Sequence, residues 1–169
     1  MKSLSQIELT VINFLVRNFS RRLTVRSIAK ELKTSAAGAY QAVKKLEESG
    51  ILVFERLGTG LFYNVDLENP IARHLAAIVL LEGSAAKTLI DLSESAKRDA
   101  TAAIVLRTEA VIISHKGINS SKCSVIAEHD FEESLRMRDK KALSWLAGGK
   151  VIYGENFIVN AIGKSISRF

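Results

Sequence analysis

The order of hydrophobic and polar residues divides the chain into a mainly helical beginning and a mixed helix–strand end. The first segment places its apolar residues at the three- and four-residue spacings of one buried helix face. These residues are Ile7, Val11, Phe14 and Leu15. Ser5 and Glu8 have the spacing of a capping box, which predicts a helix beginning there. We expect this helix to end near Asn18.

Two further helices follow, joined by a very short connection. Thr24 is a suitable N-cap for the first of them, whose inward residues are Val25, Ile28, Ala29 and Leu32. Lys33 and Thr34 then separate it from Ser35, which caps a second helix that ends at Gly50. The inward stripe of this second helix is Ala39, Val43 and Leu46. Two helices joined by so short a turn are typical of a helix-turn-helix.

A β-hairpin is predicted directly after this pair. The segments 51–56 and 61–65 are rich in strand-forming residues, and the loop 57–60 between them contains two glycines. A hairpin in this position predicts the wing of a winged helix-turn-helix. Leu23 and Thr24 could add a short third strand to its sheet.

The segment VRSIAKEL…AYQAVKKLEESGIL resembles winged-helix transcriptional regulators of the kind related to multiple-antibiotic-resistance regulators and archaeal repressors. The resemblance implies that the helix after Ser35 lies in a DNA major groove. Its outer side begins with the small residues Ala36 and Ala37, which let the backbone approach closely. Tyr40, Gln41 and Lys44 follow, and they can reach base edges or phosphates.

The predicted DNA-binding residues divide by chemistry. We expect the phosphate contacts to come from Arg21, Arg22, Arg26, Lys33, Lys44, Lys45 and Arg56. We expect the base contacts to come from Ser35, Ala37, Tyr40 and Gln41, with Thr34 completing the interface.

Asn69 and Pro70 mark the start of the next helix, as N-cap and first helical residue. Its predicted apolar stripe is Ile71, Leu75, Ile78 and Val79. A helix this apolar needs a partner, which is either the C-terminal domain or the same helix of a second chain. We favour dimerisation. Gly83 ends this helix, and Ser84 can cap another that runs to about Lys97.

The remainder of the chain predicts a small α/β domain. Strands are expected at 102–106, 111–114, 122–127 and 151–153. Helices are expected from Asp130, from Asp139 and over 155–164. The fold class is therefore α+β, with an N-terminal winged helix-turn-helix at 1–67, a helical linker or dimerisation region at 68–98 and a second small α/β domain at 99–169.

A second resemblance concerns this C-terminal part. The segment VIAEHDFEESLRMRDKKALSWLAGGKVIYGENFI resembles the tail of small nucleotidyltransferase-fold domains. Their chemistry requires a Gly-Ser motif followed by an Asp-x-Asp pair that holds Mg²⁺. Gly83-Ser84 is present, but the chain has no Asp-x-Asp, and Asp91 and Asp99 are isolated. We therefore expect a scaffold or sensor and no enzyme.

Charge and cysteine content narrow the range of partners. The net charge is +6 over 169 residues, and residues 1–66 hold ten Lys and Arg against six Asp and Glu. This concentration of positive charge favours a polyanionic partner.

The single cysteine, Cys123, excludes an internal disulfide and fits a reducing compartment. The first residues lack the apolar region of a signal peptide, and the longest apolar run, 75–81, is too short to cross a membrane. We expect a cytoplasmic protein.

These observations together predict a sequence-specific regulator of transcription that binds double-stranded DNA as a homodimer. The three histidines, at 74, 115 and 129, lack metal-ligand spacing, and we expect neither a metal nor a cofactor. The alternative is a winged helix that assembles a protein complex and never touches DNA.

Overall fold

Seven helices and two small sheets make up the described residues of the computed structural model, which are 3–82, 100–106, 109–115 and 123–166. The protein belongs to the α+β class. The chain forms two compact units, residues 1–79 and 80–169. The predicted central segment, 68–98, is described only as far as residue 82, so the predicted helix from Ser84 to Lys97 lies outside the described residues.

The N-terminal unit follows the predicted order of elements. Its helices are α1 (Gln6–Arg17), α2 (Val25–Glu31) and α3 (Ala36–Glu48), followed by strands β1 (Leu52–Leu57) and β2 (Gly60–Val65) and helix α4 (Pro70–Leu81). The predicted side-chain caps of α1, α2 and α3 are confirmed. The Ser5, Thr24 and Ser35 hydroxyls accept hydrogen bonds from the backbone N–H groups three residues on, at 3.4, 3.2 and 3.0 Å.

Helix α3 is central to this unit because it contacts α1, α2 and β1. Its inward residues Ala39, Val43 and Leu46 are buried, as predicted, and Ala42 joins them. They pack in a core whose other fully buried members include Val11, Ile12, Leu15, Leu23 and Ile28. Burial of large aliphatic side chains of this kind stabilises the fold by about 2 kcal/mol each.

The hairpin is antiparallel and tighter than predicted. Its register runs from Leu52 opposite Val65 to Leu57 opposite Gly60. Gly58, with a φ of 59°, and Thr59 form the turn. The expected third strand at 23–24 is wrong. The Leu23 carbonyl accepts one hydrogen bond from the Tyr63 N–H at 2.9 Å, but Thr24 turns away to cap α2 and the pairing goes no further.

One ion pair crosses the interface between α1 and α3. Lys45 Nζ lies 2.8 Å from Glu8 Oε1, and the Glu8 side chain is only 4% exposed. Burial by itself raises the pKa of the Glu8 carboxyl. Hydrogen bonds from Lys45 Nζ and the Ser5 N–H, together with the charge of Lys45, outweigh burial and hold this pKa below its ordinary value. The pair therefore contributes its full stability above the ordinary pKa of a glutamate and loses it as the pH falls through the lowered one.

The start of helix α4 is confirmed, but the side of the helix that is buried differs from the predicted apolar stripe. Asn69 Oδ1 caps it by accepting from the Ile71 N–H at 2.8 Å, and Asn69 Nδ2 donates to the Gly50 carbonyl at the same distance. Ile71 and Ile78 are 54% and 50% exposed, so the predicted inward stripe is wrong in both. Ala72 and Ala76 are buried in their place, as is Val79. The two alanines allow close packing on this side, whereas Ile71 and Ile78 remain half exposed.

The second unit contains a four-stranded sheet. Its elements are β3 (Ala100–Val105), β4 (Ala110–Ser114), β5 (Ser124–Ala127), α5 (Glu128–Arg136), α6 (Lys140–Gly148), β6 (Lys150–Tyr153) and α7 (Glu155–Ile166). The strand order is β5-β4-β3-β6, in which β4 and β5 are parallel and the other pairs antiparallel. Helix α5 begins two residues before the predicted Asp130, because the backbone becomes helical directly after β5 without a side-chain cap.

A glycine precedes β6 and another follows it, and at both positions the backbone lies very close to residues of β3. A Cβ atom at Gly154, whose φ is 77°, would lie 2.3 Å from the Thr101 carbonyl oxygen. A Cβ atom at Gly149 would lie equally close to the Ile104 side chain. At both positions only glycine fits without displacement of β3.

None of the helices in the described ranges has the length and hydrophobicity needed to cross a membrane.

Exchanging Lys45 for methionine tests the ion pair across α1 and α3. We expect K45M to lower the free energy of unfolding at neutral pH by about 2 kcal/mol, because a buried carboxylate loses its cation. Urea unfolding followed by far-ultraviolet circular dichroism measures this. The difference from the parent should shrink as the pH falls through the lowered pKa of Glu8, because the protonated carboxyl no longer needs the cation.

The matched control for this experiment is K44M. Lys44 lies 3.8 Å from Glu48, and both side chains are more than half exposed, so its loss should cost less than about 0.5 kcal/mol. Equal effects of K45M and K44M, or a K45M effect that does not change with pH, would contradict this assignment.

Exchanging Gly154 for alanine tests the close approach of β6 to β3. We expect G154A to destabilise the second unit by about 3 kcal/mol, since the new methyl group meets backbone atoms. Trp145, the single tryptophan, lies in this unit and reports its unfolding by fluorescence. G148A is the control, because nothing lies within 4 Å of a Cβ there, and it should leave the unfolding midpoint unchanged.

Candidate nucleic-acid interface

The outward face of α3 carries the residues predicted to read DNA. Ala37, Gln41 and Lys44 are all exposed and follow one another at spacings of four and three. They lie opposite the buried stripe that anchors the helix. Glu48, one turn beyond Lys44, continues the same exposed face. The structure therefore brings small, amide and cationic side chains together on one accessible helix surface.

The start of α3 is formed by the tight turn after α2. Lys33 has a φ of 52°, which reverses the chain, and the Thr34 N–H donates to the Ala29 carbonyl at 3.0 Å. The Ser35 hydroxyl accepts from the Gly38 N–H, so its own proton is still available to donate outward. The backbone N–H groups of the first helical turn favour a negatively charged neighbour.

Most of the predicted phosphate-binding residues are exposed. Within the residues that the structure describes, Arg22, Arg26, Lys33 and Arg56 are exposed and form no ion pair. Arg56 is located in β1, opposite Leu61, near the hairpin turn. These four side chains are available to an anionic partner.

Three of the predicted phosphate contacts have an acidic partner inside the protein. Within α3, Lys44 Nζ lies 3.8 Å from Glu48 Oε1 at an exposed position. Arg21 Nη2 lies 2.8 Å from Glu31 Oε1, and its guanidinium lies 6.0 Å from the centre of the Phe14 ring, so it links the end of α1 to α2. Lys45 is committed to Glu8 on the α1 side of α3. The sequence alone could not separate Lys44 from Lys45, because the difference depends on the angular position of α1 around α3.

Tyr40 lies at the edge of the outward face, toward the hairpin, and is 56% exposed. It borders a groove between α3 and the hairpin, which we call the α3–hairpin groove. The groove has a volume of about 290 Å³ and is lined by Val25, Tyr40, Val43, Lys44, Glu47, Glu48, Phe54, Leu61 and Tyr63. Sequence analysis did not predict it, since its walls come from three segments that only the fold brings together.

The second unit places some of its polar residues near one another. The Thr101 hydroxyl donates to the Glu128 carboxylate, and His115 Nδ1 lies 3.6 Å from the other oxygen of that carboxylate. No group of three or more His, Cys, Asp or Glu side chains within the described ranges could hold a metal ion.

Comparisons of this sequence with models of known protein families and with curated proteins find no match.

Proposed function

We propose that this protein is a winged-helix regulator of transcription that binds double-stranded DNA as a homodimer through α3. The observation that carries the proposal is the outward face of α3, where Ala37, Gln41 and Lys44 are exposed on a helix held from behind by its buried stripe. In this arrangement α3 is the recognition helix and the β1–β2 hairpin is the wing. We place the protein in the cytoplasm, because its lone cysteine fits a reducing compartment.

Charge supports the same proposal. Arg22, Arg26 and Lys33, in the segment that precedes α3, and Arg56 on the wing are exposed and provide cations for the DNA backbone. Lys45 is a weaker candidate for a phosphate contact than the unpaired cations, since its ammonium group neutralises the buried Glu8 carboxylate. Arg21 is likewise a weaker candidate for a phosphate contact, because its guanidinium pairs with Glu31.

The uncovered face of α4 supports a homodimer. Ile71, Leu75 and Ile78 recur at spacings of four and three, and the two isoleucines are half exposed. An isolated aliphatic stripe of this kind on a helix is typical of a self-association surface. Dimerisation through it would present two recognition helices to successive major grooves.

A second candidate function is a winged helix that binds another protein. The observation that favours it is the side of the hairpin that bears Val53 and Leu57, which are exposed although apolar. Mixing the protein with random duplex DNA in about 50 mM salt separates the two candidates, because non-specific binding is then strong for a DNA-binding protein. No gel shift at micromolar protein would favour protein binding.

Substitutions on the outward face of α3 test the proposed DNA contacts. K44A should weaken binding to every duplex and reduce the slope of log affinity against log salt by about one unit per protomer, because one phosphate contact is lost. Q41A should instead relax the preference at one or two base pairs of a selected site, by about 1–3 kcal/mol. Fluorescence anisotropy over a salt series measures both.

The charge-matched control for K44A is K140A, which removes a lysine outside the proposed interface. It should leave the salt slope unchanged. If K44A, Q41A and the parent bind the same duplexes alike, α3 is not the recognition helix.

A charge on the exposed face of α4 tests the homodimer. I78E should halve the molar mass measured by light scattering and lower DNA affinity, because a buried carboxylate opposes the apolar contact. I152E makes the same change at an isoleucine of β6 that is 45% exposed and should leave the dimer intact. A monomeric parent at micromolar concentration would refute dimerisation.

A further inference from the structure

The α3–hairpin groove is lined by both aromatic and aliphatic side chains. Three of its lining residues are aromatic, Tyr40, Phe54 and Tyr63, and the Phe54 and Tyr63 ring centres lie 6.0 Å apart with their planes inclined at 52°. Tyr40 and Phe54 are about half exposed, whereas Tyr63 is buried. The face of an aromatic ring is electron-rich and attracts a positive charge that lies within about 6 Å of it. Three aromatic residues around one groove therefore favour a positively charged ligand.

The groove also carries excess negative charge. Glu47 and Glu48 line it, against the single cation Lys44. Lys44 Nζ is 3.8 Å from Glu48, while Glu47 forms no ion pair within the described part of the chain. Burial raises the pKa of the Tyr63 hydroxyl, and the negative charge of Glu47 raises it further, which agrees with a carboxylate directed toward the aromatic residues.

We propose that the α3–hairpin groove binds a small organic cation, an ammonium ion with alkyl substituents. Its alkyl groups would contact Tyr40, Phe54 and Tyr63, and its charge would lie near Glu47. A quaternary or tertiary ammonium suits this site because it is positively charged yet poorly hydrated, so that ring faces replace its water at little cost. The volume of about 290 Å³ is at the small end of ligand pockets and suits a molecule of this size.

The charge of the groove argues against other occupants. An anionic ligand would meet two carboxylates, and only a paired lysine would offset them. A nucleobase could stack on the rings, but its phosphate would be repelled by the same carboxylates. The groove therefore favours a cationic ligand, whereas the outward face of α3 is proposed to bind DNA. The two surfaces share an edge.

A ligand in the groove would also affect DNA binding. This effect, unlike the binding of the ligand, rests on the proposed function. Tyr40 and Lys44 belong both to the groove and to the proposed recognition surface. A cation seated beside them would hold Tyr40 against the hairpin and occupy the space between α3 and the wing. We expect the bound ligand to obstruct the wing side of the major groove and to lower DNA affinity.

Titration of the 169-residue protein with choline tests the binding itself. ¹H–¹⁵N spectra should show saturable shifts concentrated at residues 24–26, 40–48, 53–55 and 61–63, which include the residues that line the groove. The neutral isostere 3,3-dimethylbutan-1-ol, which has the same shape without the charge, should bind at least about tenfold more weakly. Equal binding of the two probes, or shifts outside these segments, would overturn the proposal.

Two groove variants and one control identify the groups responsible. E47Q keeps the shape of the side chain and removes its charge, and F54L keeps an apolar contact and removes the ring. Each should weaken choline binding by about fivefold. E55Q removes a carboxylate from the opposite side of the same strand and should have no effect. If E47Q and F54L bind choline as the parent does, the groove is not the site.

A competition experiment separates this proposal from the proposed function. Saturating choline should lower the affinity of the parent for duplex DNA more than an equal concentration of sodium chloride does, and it should not do so in F54L. If choline binds in the groove but the protein ignores DNA, the ligand site stands and the regulator proposal fails. If choline binds and DNA affinity is unchanged, the groove is a ligand site without a regulatory effect.

Discussion

The burial of one face of α3 is the constraint on which the N-terminal unit depends. Ala39, Val43 and Leu46 lie against α1 and α2, and these three residues fix the rotation of the helix about its axis. Once that rotation is set, Ala37, Gln41 and Lys44 must face solvent. The ion pair between Glu8 and Lys45 reinforces the same orientation, since a rotation of α3 would separate a buried carboxylate from its cation.

The same rotation creates the α3–hairpin groove. Tyr40 and Glu47 lie between the buried and outward faces of α3, on the flank that meets the hairpin. The register of the hairpin, with Phe54 opposite Tyr63, brings two further rings to that flank. The outward face of α3, with Ala37, Gln41 and the Lys44–Glu48 pair, thus lies beside a groove lined by aromatic and acidic side chains. This adjacency would allow a bound ligand to influence a neighbouring nucleic acid.

The N-terminal elements could be predicted almost completely, because their signals are local. Caps at Ser5, Thr24 and Ser35, the left-handed Gly50 and the spacing of apolar residues each depend on a few neighbouring positions. Exposure on the outward face of α3 follows from the same spacing. The stripe of α4 could not be predicted in this way, since Ile71 and Ala72 both fit an apolar face. Only the space available beside the helix decided that the alanines are buried.

The sequence by itself determined where the helices and strands of the N-terminal unit lie and which side of α3 is polar, because hydrogen-bonded caps and helical periodicity act over one or two turns. The tertiary structure alone decided which lysine pairs with Glu8, which apolar residues of α4 remain uncovered and which distant side chains line the groove. These outcomes depend on the angles at which elements pack. Packing angles are set by many side chains at once, so no short stretch of sequence encodes them.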